Sequence, residues 1–264
     1  MKASAKSLVI LNLLGYLLVL TLNTLANALP LNGYTTGELS AQYPNLFVPA
    51  GFTFSIWGLI YLFLGGFTLY QLRALFSGSK ELPKSIYLIG AWFFISCLAN
   101  ASWIVAWHYR LPLVSLGVML VLLLSLIQIY RNLGLGLREV SPSEKWWVQV
   151  PFSLYLSWIS LATIANATAV LVYYNFSGWG FPDEFWAAAL VLVAGLLALF
   201  FLRKNYDLVY AAVVIWACFG IFYKRSYLTS TETPVITTSA AAVALLLLYR
   251  IVRYRSSFRG PRAY

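Results

Sequence analysis

Three sets of aromatic and polar side chains recur at helical spacing. Trp57 and Tyr61 stand four residues apart, preceded by Phe52 and Phe54, so on a helix they share one face. Asn100, Trp103 and Trp107 follow i, i+3, i+7, with Ser102 beside them. Tyr155, Trp158, Ala162 and Asn166 follow i, i+3, i+7, i+11, with Thr163 adjacent. Flat rings, two amides and one small residue are what a flat apolar ligand with a few hydrogen bonds requires. The same residues also suit an aromatic belt plus asparagine-joined helices. In lipid, burying an indole between helices gains little because the tails are already apolar, which favours the pocket.

Other chemistries find no residues. All eight acids (Glu38, Glu81, Glu139, Glu144, Asp183, Glu184, Asp207 and Glu232) lie outside the middle of the apolar runs, as do all Lys and Arg. Ion-coupled transporters keep an ionisable group at membrane depth despite a cost of roughly 2.5 kcal/mol or more. With one histidine and no paired carboxylates, no hydrolase constellation can be assembled there. His108 alone makes no zinc or haem site; it reads as an interfacial polar residue, with axial ligation of a metalloporphyrin as the alternative. No resident metal or cofactor is expected. An enzyme is not expected either, save for a tryptophan-assisted photochemical or oxidative step on a bound pigment. Cys97 and Cys218 fall in separate apolar runs and read as small buried residues.

The elements that must position the three sets follow from composition. The 264 residues are 61% hydrophobic and 10% charged, where a soluble domain carries about a quarter charged. This predicts an all-α, polytopic membrane helical bundle. Charge-free runs give eight spans, at roughly 7–27, 51–72, 86–108, 111–130, 147–174, 184–202, 208–223 and 234–249, near the ~20 residues a spanning helix needs. With both termini cytoplasmic, every Lys and Arg falls inside except Arg110, Lys224 and Arg225, which satisfies the positive-inside rule. The net charge of +10 is then a matter of topology. The five arginines from Arg250 to Arg262 read as contacts to anionic headgroups and not to nucleic acid. Lys2, Lys6 and Ala26-Asn-Ala28 resemble a secretory signal. Asn12, Asn23, Asn27 and the long apolar stretch favour a retained first helix in the cell membrane.

The three sets resemble signatures of the tryptophan-rich sensory protein family (TspO/MBR, also called translocator protein or peripheral benzodiazepine receptor). Its proline- and aromatic-rich start of helix two looks like Pro49-Ala-Gly-Phe-Thr-Phe-Ser-Ile-Trp57-Gly-Leu-Ile-Tyr61. Its helix-three segment looks like Leu98-Ala-Asn100-Ala-Ser-Trp103. Its helix-five segment is similar to Tyr155-Leu-Ser-Trp158-Ile-Ser-Leu-Ala162-Thr-Ile-Ala-Asn166. The resemblance covers about residues 6–174. It implies a five-helix bundle over 1–176, with 177–264 as an additional three-helix segment carrying the basic cytoplasmic tail. It also implies a pocket beneath segment 28–50 for tetrapyrroles, sterols or synthetic aromatic ligands. Carried over, Trp158 would wall the ligand, Asn100 would donate a hydrogen bond, Ala162 would leave room, and Trp57 and Trp103 would touch it.

The expected function is binding or sensing of a flat hydrophobic ligand, tetrapyrrole- or sterol-like. A passive exporter of hydrophobic compounds and a structural subunit without ligand are the alternatives. Small-residue stretches such as Ala187-Ala-Ala189 and Ala240-Ala-Ala242 support helix association and leave a homodimer open. The expected partners are a hydrophobic small molecule and the bilayer.

Overall fold

A computed structural model describes residues 5–29, 31–77, 82–229 and 233–258, with side chains to 253. Lys2, Lys80, Glu81, Glu232, Arg259, Arg262 and the Arg255 side chain lie outside the described residues. Every regular element is helical among those described. The chain divides into two compact units, Met1–Pro44 with Phe54–Phe176, and Asn45–Thr53 with Ser177–Tyr264.

The first unit holds α1 (Ala5–Ala28), α2 (Thr36–Ala41), α3 (Ile56–Phe76), α4 (Lys84–Ile89), α5 (Trp92–His108), α6 (Pro112–Leu133), α7 (Pro142–Glu144) and α8 (Val150–Tyr173). Among the long helices, α3 meets α1, α1 meets α5, α5 meets α6, α6 meets α8, and α8 returns to α3. The result is a closed five-helix bundle. Pro112 sits in the first turn of α6, where its missing N–H costs nothing. Gly134, left-handed at φ 58, closes the other end of that helix. Phe67, Phe93 and Phe152, all fully buried, meet edge to face at 4.9–5.7 Å. This triad from α3, α5 and α8 fills one half of the bundle with interlocking rings.

The second unit holds α9 (Asp183–Asn205), α10 (Leu208–Tyr223) and α11 (Pro234–Phe258), each packed on the other two. Asp183 and Glu184 open α9 while Arg203 and Lys204 close it, the polarity that the helix dipole favours. A Cβ on Gly195 would meet Val243 at 2.8 Å, so a glycine sets the closest approach of α9 to α11. Segment 45–53 also belongs to this unit. Ala50 N–H donates to the Gly220 carbonyl at 3.1 Å, and Trp216 Nε1 donates to the Thr53 carbonyl at 3.0 Å.

Seven of the described helices are long and apolar enough to cross a membrane, and the protein is a multi-pass membrane protein. The expected third span, 86–108, differs from the rest. Gly90 adopts φ 56 and ψ −136, a conformation open to glycine alone, and splits the run into α4 and α5. The 17 residues of α5 rise only about 25 Å, short of the ~30 Å hydrocarbon core.

Candidate functional site

Trp57, in the first turn of α3, is the hub of an aromatic cluster. Its ring stacks on Tyr61 at 5.5 Å and 17° and on Trp103 at 6.5 Å and 27°. It meets Tyr155 and Trp158 edge-on at 6.2 and 6.3 Å. Trp103 continues the stack onto Trp107 at 5.8 Å. The residues that the sequence placed on three helix faces thus converge inside one bundle. The two-fold preference of such rings for offset stacks and edge contacts holds throughout.

A polar chain runs beside the rings. Asn23 of α1 donates from Nδ2 to Asn100 Oδ1 at 2.9 Å, and Asn100 donates from Nδ2 to the Tyr155 hydroxyl at 2.7 Å. Trp103 Nε1 donates to Asn166 Oδ1 at 3.4 Å. Asn166 Nδ2 donates to Ser115 Oγ at 3.0 Å, which donates on to the Pro112 carbonyl at 2.8 Å. All of these groups are buried, so each bond spares an amide or hydroxyl the cost of lying unpaired in an apolar interior. Two asparagines therefore tie α1, α5, α6 and α8 into a fixed register.

A cavity of about 260 Å³ lies next to this cluster. Phe54, Trp57 and Tyr61 form its aromatic side, and Asn23, Thr24 and Asn27 of α1 its polar side. Thr36 and Gly37 of α2 lie over it. Gly58 also lines it, and a Cβ on either Gly58 or Gly37 would touch nothing within 4 Å. The absent side chains are part of the space. Tyr16 keeps α1 close to α3, donating its hydroxyl to the Tyr61 carbonyl at 3.0 Å. A Cβ on Gly65 would meet that hydroxyl at 2.7 Å.

Helix α2, part of the segment expected to act as a lid, borders the cavity and is held at both ends. Asn32 Nδ2 donates to the His108 carbonyl at 2.9 Å, Trp107 Nε1 donates to the Thr36 carbonyl at 3.4 Å, and the Tyr43 ring lies 5.4 Å from Trp107. The lid begins with a capping box, in which Thr35 and Glu38 each bond the other's backbone N–H. Those Thr35 bonds hold the Glu38 carboxyl below its ordinary range. Burial pushes the Tyr43 phenol up.

A family model described as TSPO-like protein matches residues 9–253, nearly the whole chain. The chain belongs to the TSPO-like protein family. Neither the curated proteins nor the solved structures give a match. In this TSPO-like protein the family match runs on through α9, α10 and α11, beyond the 6–174 stretch where the motifs are legible.

Within the TSPO-like bundle, the expected site residues divide by role. Trp57 and Tyr61 face the cavity. Tyr155, Trp103 and Trp158 stand behind Trp57 and Trp107 behind Trp103, with Phe54 edge-on to Trp158 at 5.9 Å. Asn100, expected to donate to a ligand, is bonded to Asn23 and Tyr155, with the Tyr61 hydroxyl beside it. Asn166 is likewise engaged within the protein, and Ala162 is half-buried one turn from Trp158. Phe52 departs from the expectation. Its ring packs in the second unit, against Trp216, Phe219 and Tyr223 at 5.4–6.0 Å. Phe52 and Phe54 stand two apart in the 3-10 turn Gly51–Ser55, where three residues complete a turn, so their rings do not share a face. Within segment 28–50, residues up to Pro44 belong to the five-helix unit and those from Asn45 to the second.

His108 is fully buried, and its Nδ1 pairs with the Ile104 carbonyl at 2.7 Å; it does not line the cavity. Sequence reasoning missed Asn23, Thr24, Asn27, Gly58 and the Thr36-Gly37 pair. A signal existed for the first three: Asn23 and Asn27 repeat at i, i+4 in an otherwise apolar helix, with Thr24 between them.

Proposed function

We propose that this protein binds a flat hydrophobic small molecule beneath α2, between α1 and the first turns of α3. The observation that carries this reading is the asymmetry of the bundle. One half is filled by the Phe67–Phe93–Phe152 triad, whereas the other keeps a cavity of about 260 Å³ with aromatic and amide walls. A tightly filled bundle would have favoured a purely structural role. Apolar rings supply stacking area, and Asn27 and Thr24 supply orienting hydrogen bonds, the usual division of labour in a small-molecule site.

Size narrows the occupant. Drug-sized ligands occupy roughly 300–1,000 Å³, so with α2 closed the cavity takes one or two fused rings. A tetrapyrrole or a sterol, the ligand classes suggested by the motifs, requires α2 to swing away from the His108 and Trp107 contacts. Such a ligand would couple occupancy to lid position, which is what a membrane sensor needs. We further propose that the protein sits in the cell membrane with both termini cytoplasmic and the lid outside.

The test is a fluorescence titration of the detergent-solubilised protein with protoporphyrin and with a smaller bicyclic aromatic, read as tryptophan quenching. Gly58→Leu puts a side chain into the space without meeting a neighbour at its Cβ. The expected result is a loss of more than about tenfold in affinity with a melting temperature no lower than that of wild type. Equal affinity in Gly58→Leu and wild type would remove the proposed site.

A further inference from the structure

A second concavity, a groove of about 560 Å³, lies wholly on the five-helix unit and apart from the lid. It follows the last three turns of α3 to the corner that carries α7. Gly66, Leu69 and Ala74 form an apolar floor, and the Trp147 indole forms a wall. A Cβ on Gly66 would lie 2.5 Å from that indole, so the glycine lets the edge of the ring approach the helix closely. Trp147 is carried by a π-helical turn, Lys145–Gln149, an irregularity that often marks functional positions. The opposite end of the groove is polar, with Arg73, Ser77 and Ser143. Arg73 is exposed and has no ion-pair partner among the described residues.

We infer that this groove is a phospholipid site, with the lipid phosphate on Arg73 and the two serine hydroxyls and an acyl chain along Leu69 and Trp147. The argument rests on the order of chemistries along one helix. A cation and hydroxyls stand at the end of a membrane span, where headgroups lie, and apolar floor and indole extend toward the hydrocarbon. A guanidinium binds phosphate with two parallel hydrogen bonds, and interfacial indoles favour this depth. Glu144 follows Ser143 in α7, at the polar end of the groove. That carboxylate makes an amine-bearing headgroup, phosphatidylethanolamine, the appropriate probe. A free phosphate ion would use the same cation but would leave the apolar floor uncovered.

The experiment uses the full chain, delipidated in detergent, titrated with phosphatidylethanolamine bearing brominated acyl chains, which quench tryptophan on contact. Saturable quenching is expected, part of which Trp147→Phe removes. Arg73→Ala should weaken that saturable component about fivefold, the loss of one interfacial cation, while Arg73→Lys retains most of it. Because Arg73 is exposed, neither variant should alter folding, and the porphyrin titration should be unchanged in both. Identical midpoints for wild type and Arg73→Ala would overturn the assignment. Displacement of the brominated lipid by inorganic phosphate alone would overturn it too, assigning the groove to the free ion.

Discussion

Asn23 shows how a single side chain can organise a site without an obvious signature. Its amide occupies the Asn100 carbonyl oxygen, which in turn orients the Tyr155 hydroxyl through the other end of the Asn100 amide. Asn23→Ala should leave Asn100 Oδ1 buried and unpaired, at a cost of about 1–3 kcal/mol, read as a lower midpoint in chemical denaturation. A midpoint equal to wild type would mean that another donor takes its place. Gly58→Ala should act in the opposite direction, raising stability by about 0.5–1 kcal/mol, because the methyl group enters open space. The rings were legible from spacing: Trp57, Tyr61, Trp103, Trp107, Tyr155 and Trp158 do form one cluster. A pocket beneath segment 28–50 was implied by the family motifs, but most of its lining was not legible, because that depends on what two glycines and a helix turn leave unfilled. Likewise, Asn100 and Asn166 have the residue type of ligand donors, and only the tertiary structure shows that protein groups engage both amides.

At the level of elements, the third span and the lid carry the testable consequences. Gly90 separates α4 from α5 with a backbone conformation that L side chains avoid. Gly90→Ala should therefore cost about 1–3 kcal/mol, visible as a lower melting temperature, whereas Gly117→Ala, in open space on α6, should not. The apolar run gave no hint of the break, since Gly90 is one of many glycines in apolar segments. The lid is pH-sensitive through Glu38. Its carboxyl titrates below the ordinary range in the folded protein, so its contribution is complete above the unfolded value of about 4.3 and is lost as pH falls through the lower, folded value. The protection factors of the Thr36–Ala41 amides, exchange measured against the intrinsic rate at each pH, should fall on acidification in wild type. In Thr35→Ala they should already be low at neutral pH, the hydroxyl cap being gone.

For the whole molecule, the three cations that stand apart from the positive-inside count, Arg110, Lys224 and Arg225, are the informative exceptions. Each has a specific partner. Arg110 stacks over the Tyr34 ring at 4.9 Å in the first unit. In the second unit, Arg225 donates to the Asn45 and Leu46 carbonyls at 2.9 and 3.2 Å, and Lys224 donates to the Val48 carbonyl at 3.2 Å. Hydrogen bonds from charged donors contribute about 1.5–3 kcal/mol each. Arg225→Met should therefore loosen segment 45–53, detected as faster proteolysis there, and an unchanged cleavage rate would assign the segment's order to Trp216 and the Gly220 approach instead. The membrane class, the helical composition and the family were determined by sequence, because hydropathy, charge placement and short motifs act locally along the chain. Tertiary structure alone decided which rings face space and which face each other, and that segment 45–53 belongs with α10. Those outcomes depend on contacts between residues such as Asn23 and Asn100, or Arg225 and Asn45, whose separation in the chain hides them from any spacing rule.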